Sequence, residues 1–489
     1  MNFRAVAYYL GYILRLEALL MLPPLAIGLY CGESSSVDAF VIAIFFALVA
    51  SGVTFMYRRA DHSMTHKEGF VIVSLSWIVM SIIGSIPFSF SGYIPNYLDA
   101  FFEIISGFTT TGATILTDVE CLPYSLLYWR SFTNWVGGMG ILVFAMTIIP
   151  MAKGKGDSMH VLRSELPGPT VGKLATTMRN SARMLYGIYI IMTLILIVLL
   201  YLGGMPLFDS IVNAFATAGT GGFSIKNASM GAYNSHYLQI VIAVFMVLFG
   251  INFNLFYFIL MGKARQVLKS EELRVYLGLI LFCTFTVAIN IRALYPTALE
   301  ALHQSFFQIS AFLSTTCFFV SDYNLWPEYS RNLLVMLMVI GGCAGSTGCG
   351  MKVARIVLLW KSLRSSIQSL LFPRSVKVIK MDGKPVDNET IQSTLNYLVI
   401  YCLITVAAML CLAAFDNLNL EVTLSVVLAF LNNIGPGLGI AGPIANYSAF
   451  SPMSKLVLCA VMLLGRLEIY PMMFLFAPTV WRMRSLRSM

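Results

Sequence analysis

Four short stretches of this 489-residue chain set hydroxyl, amide and glycine residues between long apolar runs. They read DAFFEIISGFTTTGAT from Asp99, DSIVNAFATAGTGGFS from Asp209, EALHQSFFQISAFLSTTCFF from Glu300 and EVTLSVVLAFLNNIGPGLG from Glu421. Small residues and hydroxyls let backbone carbonyls approach one another, and glycine permits the unusual dihedrals that aim successive carbonyls inward. Four such loops around one axis would replace the hydration shell of a monovalent cation. Their Thr, Asn and Gly positions carry no carboxylate, histidine or cysteine cluster of the kind that holds divalent or transition metals. The expected ligand is Na⁺ or K⁺.

Each stretch opens with an acid, which suits the first turn of a helix, where a carboxylate faces the positive end of the dipole. The 10 to 14 residues expected to follow as helix reach roughly 15 to 20 Å, short of a hydrocarbon core of about 30 Å. Such a helix must be re-entrant, and non-helical backbone at membrane depth is tolerated only where protein buries it or it lines a wet cavity. A long apolar span precedes and follows each one. The sequence therefore predicts an all-α integral membrane protein: a two-helix extension over 1–60, then four repeats of span, pore helix, loop and span over 68–151, 183–262, 272–361 and 394–482. The total is ten transmembrane helices around a pseudo-fourfold pore.

Composition agrees, with 58% of residues hydrophobic and 11% charged, far from the quarter charged of a soluble domain. The net charge of +9 resides in short loops, where Lys/Arg bias sets topology, so it does not indicate nucleic acid. These loops hold Arg58, Arg59 and Lys67; Lys153 to Arg183; Lys263 to Arg274; Lys361 to Lys384; and Arg482, Arg484 and Arg487. Placing them inside makes both termini cytoplasmic. Nine cysteines without a CxxC pair outline no metal site. His236 and His303 are candidates for proton coupling, but a lone histidine near a span end is more often interfacial.

The chain resembles the Trk/Ktr/HKT superfamily of potassium uptake proteins, and within it the bacterial TrkH/TrkG type. The resemblance rests on FTTTGAT at 108–114, NWVGGMGIL at 134–142, LPGP at 166–169, GGFSIKNASMGAY at 221–233, IGGCAGSTGCGMKV at 340–353, LNNIGPGLG at 431–439 and GRLEIYP at 465–471. It implies a potassium uptake protein of the bacterial inner membrane with a selectivity filter at Thr110, Thr111 and Gly112; Thr220, Gly221 and Gly222; Thr315, Thr316 and Cys317; and Asn433, Ile434 and Gly435. In the second loop Gly219 competes for the glycine position, and Gly221 ranks above it. The resemblance also implies a homodimer that docks a cytosolic nucleotide-binding TrkA-like subunit, with the basic loops as docking surfaces. The same loops suit anionic membrane lipid. No cofactor is expected, K⁺ being the transported ion.

Glycines and small residues interrupt the span after the third loop, at Gly341, Gly342, Cys343, Ala344, Gly345, Ser346, Thr347, Gly348, Cys349 and Gly350. Each glycine weakens a helix by roughly 1 kcal/mol relative to alanine, and the resemblance implies an intramembrane gate here. A phosphate-binding loop is excluded because Met351 follows Gly350, where that motif needs Lys and then Ser/Thr. Arg466 lies within the last span, where a lone arginine faces a pore or a partner. The resemblance makes it a barrier in the ion path, while pairing with Glu468 or a carbonyl is the structural alternative. Cys317 and Cys349 stand where the family has glycine. The cysteine at 317 implies either a differently running loop or one poorer site, with some passage of Na⁺. A second reading is a Na⁺- or H⁺-coupled solute symporter built on discontinuous helices. An enzyme is not expected, for want of an acid/base or nucleophile constellation.

Overall fold

The computed structural model describes residues 1–56, 66–148, 178–372 and 378–481. LPGP at 166–169, Arg58, Arg59, Lys153, Lys155, Arg163, Lys173 and the arginines after 481 lie outside the described residues, so the expected boundaries at 60, 151 and 482 do too.

Helices account for nearly all the regular structure, as the apolar composition demands. The exception among the described residues is a two-stranded antiparallel ribbon, Lys380–Met381 with Lys384–Pro385. The chain opens with Phe3–Leu20, Leu22–Cys31 and Ser34–Phe55, which pack beside the first repeat. Four short helices then recur: Tyr97–Phe108, Leu207–Ala218, Ala298–Leu313 and Leu420–Leu431. Asp99, Asp209, Glu300 and Glu421 occupy their first turns, as the dipole argument requires. Asn96 and Thr297 cap two of them by accepting from Leu98 N and Glu300 N. Their lengths of 12, 12, 16 and 12 residues give roughly 18 to 24 Å.

A longer helix leads into each short one: His66–Phe90, Met178–Leu202, Glu271–Asn290 and Asn388–Phe415. The helices that follow are less regular. Tyr124–Ile148 is continuous, but it carries the polar run Arg130, Ser131, Thr133 and Asn134 on one buried side. His236–Phe249 and Phe253–Leu260 meet at 94°. Glu328–Ile340 stops at Gly341 and resumes as Val353–Leu371, while Pro452–Arg466 breaks before Tyr470–Phe476. Among the described residues six spans are long and apolar enough to cross a bilayer, with Phe3–Cys31 counted as one, or seven with the bent pair counted once. Ten crossings were expected, and the shortfall lies mainly in these trailing helices, interrupted by glycine, by Asn252 or by Glu468 and Ile469 at positive φ.

Candidate functional site

The four short helices end in one repeated backbone motif. Thr110, Thr220, Thr315 and Asn433 have φ of 56°, 55°, 59° and 51°. Their N–H groups donate three residues back, to Gly107, Thr217, Phe312 and Phe430. The next residues, Thr111, Gly221, Thr316 and Ile434, donate five residues back at 2.8, 3.0, 2.9 and 2.7 Å. This is the Schellman closure of a helix, whose left-handed position usually takes glycine. Here three threonines and an asparagine hold it, at about 1–2 kcal/mol each. Strain repeated at four matched positions marks a functional site more readily than a packing accident.

A second left-handed residue follows two places on: Gly112 (φ 77°), Gly222 (70°), Cys317 (51°) and Gly435 (98°). In the second loop Gly222 thus matches Gly112 in conformation. Gly219 caps the helix at φ −69°, and Gly221 is not left-handed. The third loop does not run differently, since Cys317 adopts the left-handed conformation despite its side chain.

The loops touch one another in a closed circuit. A methyl group on Gly112 would strike the Gly221 carbonyl oxygen, one on Gly222 the Thr316 oxygen, and one on Gly435 the Thr111 oxygen. The last pair in this series is Cys317 with Ile434, where a Cβ already stands. Loops three and four must therefore lie further apart at this level. They join further along, where Tyr323 Oη donates to Gly437 O at 3.2 Å and Asn324 Oδ1 accepts from Gly439 N at 3.1 Å. Asn433 Nδ2 donates to Thr111 Oγ1 at 2.9 Å, tying the fourth loop to the first. Every Thr and Asn of the left-handed set is fully buried. A cavity of about 220 Å³ opens against Gly112, Gly222, Cys317 and Tyr447.

A buried ion pair braces this circuit. Glu103, on the first short helix, accepts from Arg130 Nε at 2.6 Å, from Thr114 Oγ1 at 3.0 Å and from Ile115 N at 3.0 Å. Arg130 also donates to Ser224 O at 2.7 Å and lies 3.6 Å over the Phe223 ring. One pair thus clamps loops one and two. Further out, Asn227 Nδ2 donates to Asp118 Oδ1 at 2.8 Å, and this bond holds the Asp118 carboxyl below its ordinary range. Neither Glu103 nor Arg130 belongs to a recognisable motif, although two charges within apolar segments are themselves a signal.

The broken third trailing helix folds back beneath the circuit. Gly341, Gly345, Gly350 and Lys352 are left-handed, and Cys349 N donates to Thr315 Oγ1 at 2.8 Å. Glu272 Oε1 accepts from Ala344 N at 2.6 Å and Ala354 N at 3.2 Å, while Cys343 N donates to Gly250 O at 2.9 Å. Lys352 Nζ turns back onto Gly348 O. Arg466, 2% exposed, reaches in from the fourth repeat. Its Nη1 donates to Thr110 Oγ1 at 3.0 Å, Thr347 O at 3.1 Å and Cys349 Sγ at 2.9 Å, and its Nη2 to Gly137 O at 2.6 Å. Glu468 is not its partner, because it pairs with Arg355 at 2.5 Å. The guanidinium thus sits between the first loop and the glycine-rich segment, held by carbonyls, a hydroxyl and a thiol.

The TrkH family profile, described as cation transport protein, matches residues 36–483; the chain belongs to this family. It is 36% identical to the Trk system potassium uptake protein TrkH of Salmonella typhimurium, over 99% of this chain and 100% of that one. Identity to the Trk system potassium uptake protein TrkG of Escherichia coli is 32%, over 98% and 99%. The crystal structure of the potassium transporter TrkH from Vibrio parahaemolyticus superposes with a TM-score of 0.88 at 33% identity, covering 99% of this chain and all of that one.

Proposed function

We propose that this chain takes up K⁺ across the bacterial inner membrane through a gated pore lined by the four loops. The observation that carries this reading is the paired left-handed motif, repeated at four positions in mutual contact. Left-handed residues two positions apart turn neighbouring carbonyls toward a shared axis, and four short helices direct their negative ends there. The filter comprises Thr110, Thr111 and Gly112 with their counterparts in the other loops. Ten crossings surround it, counting the broken trailing helices as spans, and both termini lie in the cytoplasm. The segment 341–350 is the gate beneath, and Arg466 is the barrier. Relatives named as Trk system proteins support a multi-component assembly; in this reading the chain is a homodimer, its partner is a cytosolic nucleotide-binding subunit of TrkA type, and the basic loops dock that subunit and meet anionic lipid. Four like units favour a pore over a symporter, whose broken helices are usually unlike.

Purified protein in liposomes should carry K⁺ and Rb⁺ down their gradients faster than Na⁺, with or without an imposed proton gradient. Failure to move any monovalent cation would overturn the reading. Cys317 leaves the junction of loops three and four wider than the others, so discrimination against Na⁺ is weakest there. Cys317→Gly should relieve about 1 kcal/mol of local strain and raise the K⁺/Na⁺ flux ratio several-fold. An unaltered ratio in the folded variant removes Cys317 from selectivity.

A further inference from the structure

Two histidines separated by 67 positions in the sequence meet at the ends of two elements outside the site described above. His236 opens the helix His236–Phe249, and His303 lies on the third short helix, Ala298–Leu313. Their ring centroids are 4.9 Å apart and their planes are perpendicular. A neighbouring amide fixes the tautomer of one of them. Gln239 Nε2 donates to Tyr233 O at 3.0 Å and Met230 O at 3.4 Å, and those carbonyls can only accept. The Gln239 oxygen is thereby turned to His303 Nε2 at 2.7 Å and must accept its proton. His303 Nδ1 is left bearing a lone pair. This is the arrangement of a metal-ligating histidine, whose second ring nitrogen donates to an oriented oxygen.

His236 is exposed to solvent, and neither of its ring nitrogens has a hydrogen-bond partner among the described residues. Glu300 stands one turn before His303 on the same helix. The other first-turn acids are occupied: Asp99 by Lys455, Asp209 by Tyr233 and Glu421 by Arg331. Glu300 has no ion pair among the described residues, and its charge favours a cation beside the rings.

We propose that His236 and His303 bind a divalent transition-metal ion of the imidazole-seeking class, Zn²⁺, Ni²⁺ or Cu²⁺, with water completing the coordination. The ion would join the helix after the second loop to the helix that carries the third. The site is separate from the carbonyl-lined path, which suits a monovalent cargo.

The test is calorimetric titration of tag-free purified protein with Ni²⁺ and, separately, Zn²⁺. One ion per chain is expected. His236→Ala, at an exposed position, should weaken binding at least tenfold, and so should His303→Ala. Gln239→Leu should weaken it about 10- to 100-fold, the usual effect of losing an outer partner of a ligating histidine. Absence of stoichiometric binding to the unmodified chain overturns the proposal. So does undiminished affinity in His236→Ala, which would assign the ion to other groups such as the exposed Cys31 and Cys121 thiols.

Discussion

Arg466→Ala is expected to raise K⁺ flux in liposomes by about 30-fold. A unit charge about 8 Å from a permeating cation, at an effective dielectric constant near 20, opposes it by about 2 kcal/mol. The contacts of Arg466 add a second effect. Its guanidinium joins Thr110 of the first loop to Thr347 and Cys349 of the inserted segment, so its removal also frees that segment to move. Arg466→Lys separates the two effects. It keeps the charge but cannot reproduce a planar fork serving four acceptors, so its flux should rise by much less. Wild-type flux in folded Arg466→Ala protein would remove the arginine from the ion path and leave it a packing residue.

The second large effect is on stability. Glu103→Ala leaves the Arg130 guanidinium, 2% exposed, without its counter-charge. Breaking a buried pair in this way costs about 3–5 kcal/mol. The loss falls where Arg130 meets Ser224 O and the Phe223 ring, so loops one and two should separate and selectivity should fall with stability. Removing both charges, as in Glu103→Leu with Arg130→Met, should recover much of the lost stability, because the unpaired ion is then absent. The check is the shift in thermal unfolding across the four proteins of the double-mutant cycle. If Glu103→Ala unfolds within a degree of the parent, the pair does not brace the circuit.

Much of this arrangement was legible in the sequence because it repeats. An acid, a short apolar run and a Thr/Asn turn recur four times, the turn closing on glycine in three stretches and on Cys317 in the third, and the structure puts a short helix with a first-turn acid at each. Conformation inside the turns was less legible. Nothing in the local sequence distinguishes Gly221 from Gly222; the frame is fixed by backbone conformation, with Thr220 and Gly222 left-handed and Gly221 N donating to Ala216 O. The helix breaks divided according to composition. Five glycines between 341 and 350 announced one break, whereas the 94° bend at Gly250–Asn252 and the left-handed pair Glu468–Ile469 offered one glycine and one following proline. The Glu103–Arg130 and His236–His303 contacts were hidden for a different reason. Each depends on tertiary packing that brings distant elements together, which no periodicity within one element records.

The circuit of loops is made of one chain, and its positions are not copies. In a ring of identical subunits, a cysteine in place of a glycine would arrive at every junction at once. Here Cys317 enters once, against three glycines, and its Cβ burdens one junction while the others keep their close carbonyl contacts. If the circuit is the filter proposed above, single-chain construction lets discrimination between ions be adjusted in quarter steps, one side of the ring being loosened without dismantling the rest.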